Sequence, residues 1–436
     1  MNDRLRQAAG FVVFGLAIVF LAFVAGMLAG VFKIPPYPSV EGSIIEAARA
    51  LKSDADKGQL HFMYRKRNTD SGVTVLDPDE VQPGVTLVTG MWLSKGEWRP
   101  AARLIDFDGS VLNEWKIRPE QIWPESPHAD IAKGTHNKPT GYVHGSVLLP
   151  DGDIIFNIEY LGMVRMNPCG EVVWKLPYRT HHSIALDDAG NIWASGTVWR
   201  NAPIDEYVGL RAPFVDETLV QVSPDGEMLQ EIFVLKSLYD SGFQGTVRLS
   251  HKTLDLTHLN DVEVLTEAMA PAFPMFNAGD LLVSLRNLNL VVVVDSSTGA
   301  VKWHFSHPLI HQHDPDFEPD GTIAIFDNND DTTRNGDYWG RSRIIKVDPE
   351  TYRWSVAYPT SDDQPFYSQE GGKHQLLSNG NRLITEANAG RAFEVTPDGK
   401  LVWNWVIASD DPEFLPEVLE ATRYPESYSL TAVCVP

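Results

Sequence analysis

Basic residues are scarce in this chain of 436 residues. It carries 36 Lys and Arg against 58 Asp and Glu, which gives a formal net charge of -22. A nucleic-acid-binding face needs positive charge, so this balance argues against nucleic acid as a partner. A small anionic substrate stays open, because it responds to the charges of its local site rather than to the sum over the chain.

Cysteine is nearly absent. Only Cys169 and Cys434 are present, and two cysteines alone do not decide between a disulfide and two separate thiols. In an oxidising compartment a disulfide between them would join the C-terminal tail to the body of the protein.

Several familiar catalytic motifs are also missing. The sequence has no His-Glu-x-x-His, no Gly-x-Ser-x-Gly, no Gly-x-x-x-x-Gly-Lys and no Cys-x-x-Cys pattern. Their absence argues against a metallopeptidase, an α/β-hydrolase, a phosphate-loop enzyme and a dithiol oxidoreductase.

One long apolar run is present at the N-terminus. Residues 10–32 contain no charge, and about 20 apolar residues suffice to span a bilayer. Arg4 and Arg6 precede the run, so we expect a cytoplasmic N-terminus over 1–9, a transmembrane anchor over 10–32 and a body outside the cytoplasm. A cleaved signal peptide is the alternative, since small residues lie near the end of the run.

The segment after the anchor predicts a linker. Pro35-Pro36-Tyr37-Pro38 favours a stiff extended chain, and 43–51 is typical of a short amphipathic helix. Strand character begins at Gly84. We therefore expect a linker with a short helix over 33–83 and a β domain over 84–436.

A repeat of a turn glycine followed by a strand ending in tryptophan runs through the β domain. Its four clear copies and two weaker copies are 109–115, 170–174, 299–303, 399–403, 224–229 and 348–354. Six units with turn residues between short strands favour a six-bladed β-propeller with elaborated loops. The recurring Trp is most simply a packing residue between blades.

A second repeat places a histidine eight residues before a glycine. His144, His182 and His313 precede Gly152, Gly190 and Gly321 in this way, and each segment between is interpreted as the same β unit. Equivalent positions in a closed ring of repeats face a common axis. These imidazoles could therefore converge although they lie far apart in the sequence.

The densest polar clusters lie between Asp255 and Asp330, at the ends of apolar runs. They predict side chains at a sheet rim: 255–261, Arg286 with Asn287, 311–314 and 327–331. Imidazoles with one guanidinium would suit an anionic, oxygen-rich group. Arg286, beside aliphatic strand residues, must be either paired or functional.

Simpler readings of these residues stay open. A lone His in a β protein is usually structural, and Asp255, Asp261 and Asp314 could cap turns or orient histidines. Asp327–Asp331 could bind calcium but lacks EF-hand spacing, so a solvated turn is favoured. A metal site on His182, His258 and His313 is less attractive, because no carboxylate ligand is obvious.

The ordered motifs resemble those of the bacterial arylsulfate sulfotransferase family. The resemblance covers most of the chain after Gly84, and four segments carry it: Asp255-Leu-Thr-His258-Leu-Asn260, Ser284-Leu-Arg286, Gln312-His313-Asp314, and 380–395. It implies an all-β, six-bladed β-propeller in the periplasm, here with an N-terminal transmembrane helix holding it to the inner membrane.

The resemblance also implies the chemistry. Such proteins move a sulfuryl group from an aryl sulfate donor to a phenolic acceptor without an adenylyl-sulfate donor. The family's nucleophile matches His313, its second histidine matches His258 with Asn260 beside it, and its arginine matches Arg286. A His-His pair matches His181 and His182, with His182 preferred as catalytic and His181 assigned, with Asn260, to substrate binding. We expect no cofactor and no metal.

Two other functions compete. The first is a non-catalytic, membrane-anchored propeller that acts as a scaffold, since a fold alone does not give function. The second is a quinone-dependent dehydrogenase, because 295–303 looks like a repeat of that group, although the strong form occurs once.

Overall fold

The structure is a computed structural model that describes residues 2–32, 60–67, 71–128, 141–250, 254–333 and 335–434. The chain divides into two compact units, Met1–His61 and Phe62–Pro436. In the first unit, helix α1 covers Asn2–Phe32. A search of the described residues for a helix of sufficient length and apolarity to cross a bilayer finds none, so the expected span over 10–32 lacks structural support. The proline linker and the helix expected over 43–51 lie outside the described residues.

The second unit is the expected all-β, six-bladed propeller. Each blade is an antiparallel sheet in which four strands follow one another from the centre of the ring outward. The strands of each blade are named below in that order. Blades 1 and 2 consist of β27 (Val418–Tyr424), β3 (Val85–Ser94), β4 (Glu97–Ile105), β5 (Val111–Lys116), and of β6 (Val143–Leu148), β7 (Ile154–Ile158), β8 (Gly162–Met166), β9 (Val172–Leu176). Blades 3 and 4 consist of β10 (Thr180–Leu186), β11 (Ile192–Arg200), β12 (Phe214–Val222), β13 (Met228–Phe233), and of β14 (Leu259–Val264), β15 (Leu281–Leu285), β16 (Leu290–Val294), β17 (Val301–Phe305). Blades 5 and 6 consist of β18 (His313–Phe317), β19 (Ile323–Asp327), β20 (Arg343–Val347), β21 (Trp354–Tyr358), and of β22 (Lys373–Leu376), β23 (Arg382–Glu386), β24 (Arg391–Val395), β25 (Leu401–Val406).

The remaining elements decorate this ring. Strand β2 (Gly72–Val75) adds a fifth strand to blade 6, and β1 (Met63–Arg65) pairs with β26 (Phe414–Pro416). Short helices are α2 (Pro119–Ile122), α3 (Val234–Asp240), α4 (Gln244–Leu249) and α5 (Tyr428–Thr431), and 3-10 turns cover Ala270–Ala272, Arg286–Leu288 and Ala387–Ala389. Strands β1 and β2 both precede residue 84, where strand character was expected to begin.

The ring closes through the C-terminal strand. β27 comes from the end of the chain and pairs with β3, and every inner strand contacts the inner strands of both neighbouring blades. Because neighbouring strands are antiparallel, the inner strand begins where the second strand ends, on one rim of the propeller. The centre of the ring at this rim is called the hub below.

The tryptophan repeat marks the outer strands, as predicted. Trp115, Trp174, Trp303 and Trp403 each donate the indole N–H to a carbonyl in the turn before the outer strand of the next blade. The acceptors are Asn167, Pro224, Pro349 and Phe107, at 2.9, 2.8, 3.0 and 3.1 Å. Each of these side chains thereby links two blades, which confirms their packing role.

Cys169 and Cys434 form a disulfide across 265 residues of sequence. Cys169 lies in the β8–β9 turn and Cys434 follows α5, so the bond joins the tail after the closing strand to blade 2. Of the two alternatives that the sequence left open, the structure shows the disulfide and not two separate thiols.

We expect the Cys434→Ser variant to be less stable by about 2–5 kcal/mol, because the bond restricts a very long loop of the unfolded chain. Denaturant unfolding of the purified protein measures the loss. A Cys169→Ser/Cys434→Ser double variant should show the same loss, and reductant should change the wild type but not the double variant. Equal unfolding free energies of wild type and variants would contradict a stabilising role.

Candidate active site

Equivalent positions of four blades supply side chains to the hub. His144, His182, Asn260 and His313 each lie four residues before the last residue of their inner strand, which is Leu148, Leu186, Val264 and Phe317 respectively. The register that the histidine repeat predicted is therefore confirmed for its three members. In blade 4 the equivalent residue is Asn260, and His258 lies just before the strand.

Each of these inner strands has a bulge at this place. The pairing register shifts between Val143 and Ser146, His181 and Ile184, Leu259 and Asp261, and His313 and Asp316. Bulges change the direction in which a side chain points and are common beside active sites.

Two histidines of the hub adopt backbone conformations that L-residues disfavour. His182 has φ 51° and His258 has φ 48°, and such conformations cost about 1–3 kcal/mol each. Gly145, with φ 86°, makes the close approach possible, because a Cβ there would lie 1.7 Å from the carbonyl oxygen of His182. Backbone strain at two histidines that meet at the hub favours a functional role for them.

The rings form a continuous cluster. The ring centroid of His182 lies 4.1 Å from that of His144 and 4.9 Å from those of His181 and His258. Burial and the charge of Arg286 lower the pKa of His313, and His258 and His144 lie near enough to act on it in the same direction. The structure thus brings the histidines of blades 2 to 5 to one place.

His313 is oriented by an asparagine from the same blade. Its Nδ1 lies 2.7 Å from Oδ1 of Asn328 and 3.0 Å from the carbonyl oxygen of His311. Nδ2 of Asn328 donates to the carbonyl oxygens of Ser368 and Gly371, at 2.9 and 2.7 Å, which fixes the amide with Oδ1 towards His313. Both neighbours of Nδ1 are acceptors, so Nδ1 carries the proton and Nε2 keeps its lone pair.

His258 forms a dyad with Asp255. Nδ1 of His258 lies 2.5 Å from Oδ2 of Asp255, and Oδ1 of Asp255 accepts the backbone N–H of His258 at 3.1 Å. Nε2 of His258 is buried and has no hydrogen-bond partner among the described residues. A carboxylate on Nδ1 is the usual way to hold an imidazole so that Nε2 can accept or donate a proton.

Arg286 begins the 3-10 turn after β15, on the same rim. Its backbone N–H donates to the carbonyl oxygen of His258 at 3.1 Å. Within the described ranges its guanidinium forms no ion pair, and its buried Nε has no hydrogen-bond partner. Since a guanidinium without a carboxylate is costly at a half-buried position, an anionic ligand is the partner that this geometry calls for.

The comparison with known proteins agrees with this geometry. The sequence profile of the Arylsulfotransferase (ASST) family matches residues 145–408, more than half of the chain. The chain belongs to the arylsulfotransferase family. Membership indicates an activity of the arylsulfotransferase type.

Other comparisons are distant. A search of curated proteins finds no match. A protein of unknown function from Bacteroides caccae is 12% identical, covering 78% of this chain and 98% of its own, with a TM-score of 0.47. A catalytically inactive virginiamycin B lyase from Staphylococcus aureus, solved with quinupristin, is 11% identical over 81% of this chain and 100% of its own, with a TM-score of 0.42. Neither similarity carries an argument about function.

Burial favours the neutral form of three hub histidines of this arylsulfotransferase. It lowers the pKa values of His182 and His313 well below the usual range and also lowers that of His258. The positive charge of Arg286 lowers all three further. Burial raises the pKa of Asp255, but its interactions with His258 and Arg286 lower it overall to about 2. Asp255 therefore stays ionised.

The two residues assigned to substrate binding have partners within the protein. Nδ2 of Asn260 donates to the carbonyl oxygen of Gln312 at 2.8 Å, while its buried Oδ1 has no partner among the described residues. Nδ1 of His181 lies 2.6 Å from Nδ1 of His182. Both residues lie beside the hub, but one polar atom of each is already bonded to another group of the protein.

Sequence reasoning missed Asn328 and Tyr160. Asn328 stands next to His313 only because β18 pairs with β19, and its signal was the polar cluster that ends β19. Tyr160, in the β7–β8 turn with φ 58°, places its ring 5.0 Å from that of His181. It follows no repeat that the sequence shows.

The segment Asp327–Asp331 is not the solvated turn that was favoured. All five residues are buried, because their side chains bond to the protein. Asp327 pairs with Arg343 at 2.8 Å, Asp330 with His311 at 2.9 Å, and Asp331 accepts from Thr333. Groups that could hold a metal ion, among the described residues, are His144 with Glu159 and His182, and Asp314 with Asp316 and His374. Neither group includes His258, His313 or the calcium segment.

Proposed function

We propose that this arylsulfotransferase moves a sulfuryl group from an aryl sulfate to a phenolic acceptor through a sulfohistidine at His313, without an adenylyl-sulfate donor. The observation that carries the proposal is the neutral Nε2 lone pair of His313, held by Asn328 at a hub that also contains Arg286. A covalent intermediate divides one difficult transfer into two displacements.

In the first step, Nε2 of His313 attacks sulfur, an N–S bond forms, and the S–O bond to the aryl group breaks. His258 enters this step as the imidazolium that the second step regenerates, stabilised by the Asp255 carboxylate, and it donates its Nε2 proton to the departing phenolate, which leaves a neutral imidazole. In the second step the acceptor oxygen attacks sulfur, the N–S bond breaks, and Nε2 of His258 takes the acceptor proton.

Arg286 and His182 would hold the sulfuryl oxygens as charge redistributes, with Asn260 and His181 beside them. A guanidinium offers a fork of donors that matches an oxyanion, and preorganised donors in a buried site act strongly on developing charge. Among the described residues the guanidinium of Arg286 has no carboxylate partner, and this observation supports the role most directly.

The proposal is tested by incubating the purified protein with a chromogenic aryl sulfate, with and without an added phenol. We expect release of the chromogenic phenol that depends on the acceptor, together with formation of the acceptor sulfate. Release without acceptor would indicate a hydrolase, and no release would favour the scaffold alternative. An absorbance spectrum of the same sample tests for a bound quinone.

Asn328→Ala should lower kcat about 10–100-fold, in the range of outer contacts that orient a catalytic histidine. Without Asn328 the proton of His313 can occupy Nε2, which removes the nucleophilic lone pair. Steady-state kinetics measure the loss, and KM for the donor should change little. Asn329→Ala provides a neighbouring control, because Asn329 bonds to the carbonyl oxygens of Trp339 and Arg341. Equal losses in both variants would mean that Asn328 acts only on the fold.

We also propose that the body of the protein lies in the periplasm, and that the N-terminal apolar run holds it to the inner membrane. The Cys169–Cys434 disulfide supports an oxidising compartment. Cell fractionation with and without residues 1–32 tests both points. Recovery of the full chain from the cytoplasm would contradict them.

A further inference from the structure

A buried carboxyl group that the proposed reaction does not use lies next to the His181–His182 pair. Glu217 on β12 is 2% exposed. Its Oε2 accepts hydrogen bonds from the Thr257 hydroxyl and from the backbone N–H of Leu259. Its Oε1 lies 3.9 Å from Nε2 of His181. Since two donors already point at Oε2, a proton on this carboxyl group belongs on Oε1, the oxygen that faces His181.

Burial favours the acid form of Glu217. It raises the pKa of the carboxyl group well above the usual range and the charge of Asp255 raises it further, against opposing effects of Thr257, Leu259 and Arg286. In its acid form the carboxyl group is a hydrogen-bond donor.

His181 and His182 are linked through their Nδ1 atoms, which lie 2.6 Å apart. Burial lowers the pKa of His181 to about 3 and that of His182 well below the usual range, so each ring carries one proton. In such a pair one Nδ1 donates and the other accepts. The tautomer of one ring therefore determines the tautomer of the other.

We propose that Glu217 in its acid form sets the tautomer of His182 through His181, so that the Nε2–H of His182 points into the hub and donates to a sulfuryl oxygen. Oε1–H of Glu217 donates to Nε2 of His181, and Nδ1–H of His181 donates to Nδ1 of His182. The proton of His182 is then left on Nε2. Glu217 and His181 are positioning residues, and their proposed role rests on the transfer reaction proposed above.

One contact in this series of hydrogen bonds, between Glu217 and His181, must shorten. Nε2 of His181 is buried without a hydrogen-bond partner in the described part of the chain, and its distance to Oε1 of Glu217 exceeds hydrogen-bond length by about 1 Å. Hydrogen bonds of catalytic groups often shorten only when substrate binds.

Loss of the Glu217 proton exchanges the donor and acceptor in each of these hydrogen bonds. A carboxylate accepts Nε2–H from His181, His181 then accepts Nδ1–H from His182, and His182 turns the Nε2 lone pair towards the anionic sulfuryl oxygens. The charged and titratable groups that face Glu217 are Asp255, Arg286, His181 and Tyr160, and those around His182 are His144, His181, His258 and Arg286. Activity should therefore fall as pH rises through the pKa of Glu217.

Glu217→Gln imitates the acid form permanently. Its carbonyl oxygen can replace Oε2 as the acceptor for Thr257 and Leu259, and its NH2 group can replace Oε1–H. We expect E217Q to retain most transfer activity at neutral pH and to lack the alkaline decline of the wild type. Glu217→Met, which is similar in size but has no donor, should lose about 100-fold in kcat, as for one oxyanion donor.

The pH profiles of wild type and E217Q are compared with the same donor and phenol, so that ionisation of the acceptor affects both equally. The same alkaline decline in both proteins would overturn the proposal, whether or not Glu217→Met folds. A second readout needs no turnover. In 15N spectra of the His313→Asn protein saturated with the aryl sulfate donor, which this variant should not transfer, the tautomer of His182 should change with pH, and it should stay constant when Glu217→Gln is added. If the tautomer of His182 responds to pH in the same way with and without Glu217→Gln, the proposed role of Glu217 is refuted. Absence of transfer by the wild type would refute only the proposed function.

Discussion

Replacing His313 by Asn should reduce sulfuryl transfer by about 10⁶-fold, the scale seen when a covalent nucleophile is removed. His313 combines a lone pair on Nε2 with donation of Nδ1–H to two neutral acceptors, Asn328 and the carbonyl oxygen of His311, whereas Nδ1 of His258 faces the Asp255 carboxylate. Asn keeps a polar side chain at this position, so the β18–β19 pairing that holds the site should survive. Steady-state transfer from the chromogenic sulfate measures the loss.

The covalent step gives an independent measurement. Wild-type protein incubated with donor alone should gain the mass of one sulfuryl group, on the peptide that carries His313, and the variant should gain none. His304→Asn is the matched control, because His304 is exposed on the outer strand β17 and should leave labelling intact. A labelled His313→Asn protein would show that the sulfuryl group is carried elsewhere.

Arg286→Gln should lower kcat/KM about 10³-fold, the upper range for loss of one group that stabilises an oxyanion. The guanidinium forms no ion pair in the described ranges, so its removal leaves no carboxylate without a partner and the folded state should lose little stability. The loss should therefore be seen in transfer kinetics and not in denaturant unfolding, and both are measured on the same preparation.

The same substitution should move the acid limb of the pH profile. The positive charge of Arg286 lowers the pKa values of His313 and His258, so its removal raises them. More of His313 is then protonated at mildly acidic pH, and activity should begin to fall at a higher pH than in the wild type. Arg286→Lys keeps the charge without the fork of donors. It should show the kinetic loss with a smaller shift of the limb, and an unshifted limb in Arg286→Gln would show that the charge does not act on the nucleophile.

The blade architecture was predictable because it depends on local chemistry. A turn glycine and an outer-strand Trp recur together in four of the six units, and each of these four Trp side chains bonds to the turn of the following blade. The equivalence of His144, His182 and His313 could be read in the same way, since each lies at a fixed distance from a turn. The dyad of Asp255 and His258 lies within one short segment and was open to the same reasoning.

Other features depend on pairing between distant segments. Asn328 reaches His313 only through the β18–β19 pairing, and Glu217 reaches His181 because β12 belongs to the same blade as β10. The burial of Asp327–Asp331 follows from contacts with Arg343 and His311 that a run of acidic residues does not reveal. Closure of the ring requires the last strand to pair with β3, far away in the sequence.

The sequence by itself determined that this chain is a ring of six repeated β units with titratable side chains at equivalent positions, because glycine turns and strand periodicity act over a few residues. Only the tertiary structure decided which ring nitrogens carry protons, which carboxyl groups orient them and which guanidinium has no ion-pair partner in the described part of the chain. These properties depend on burial and on hydrogen bonds between strands and blades, which arise only when the ring closes.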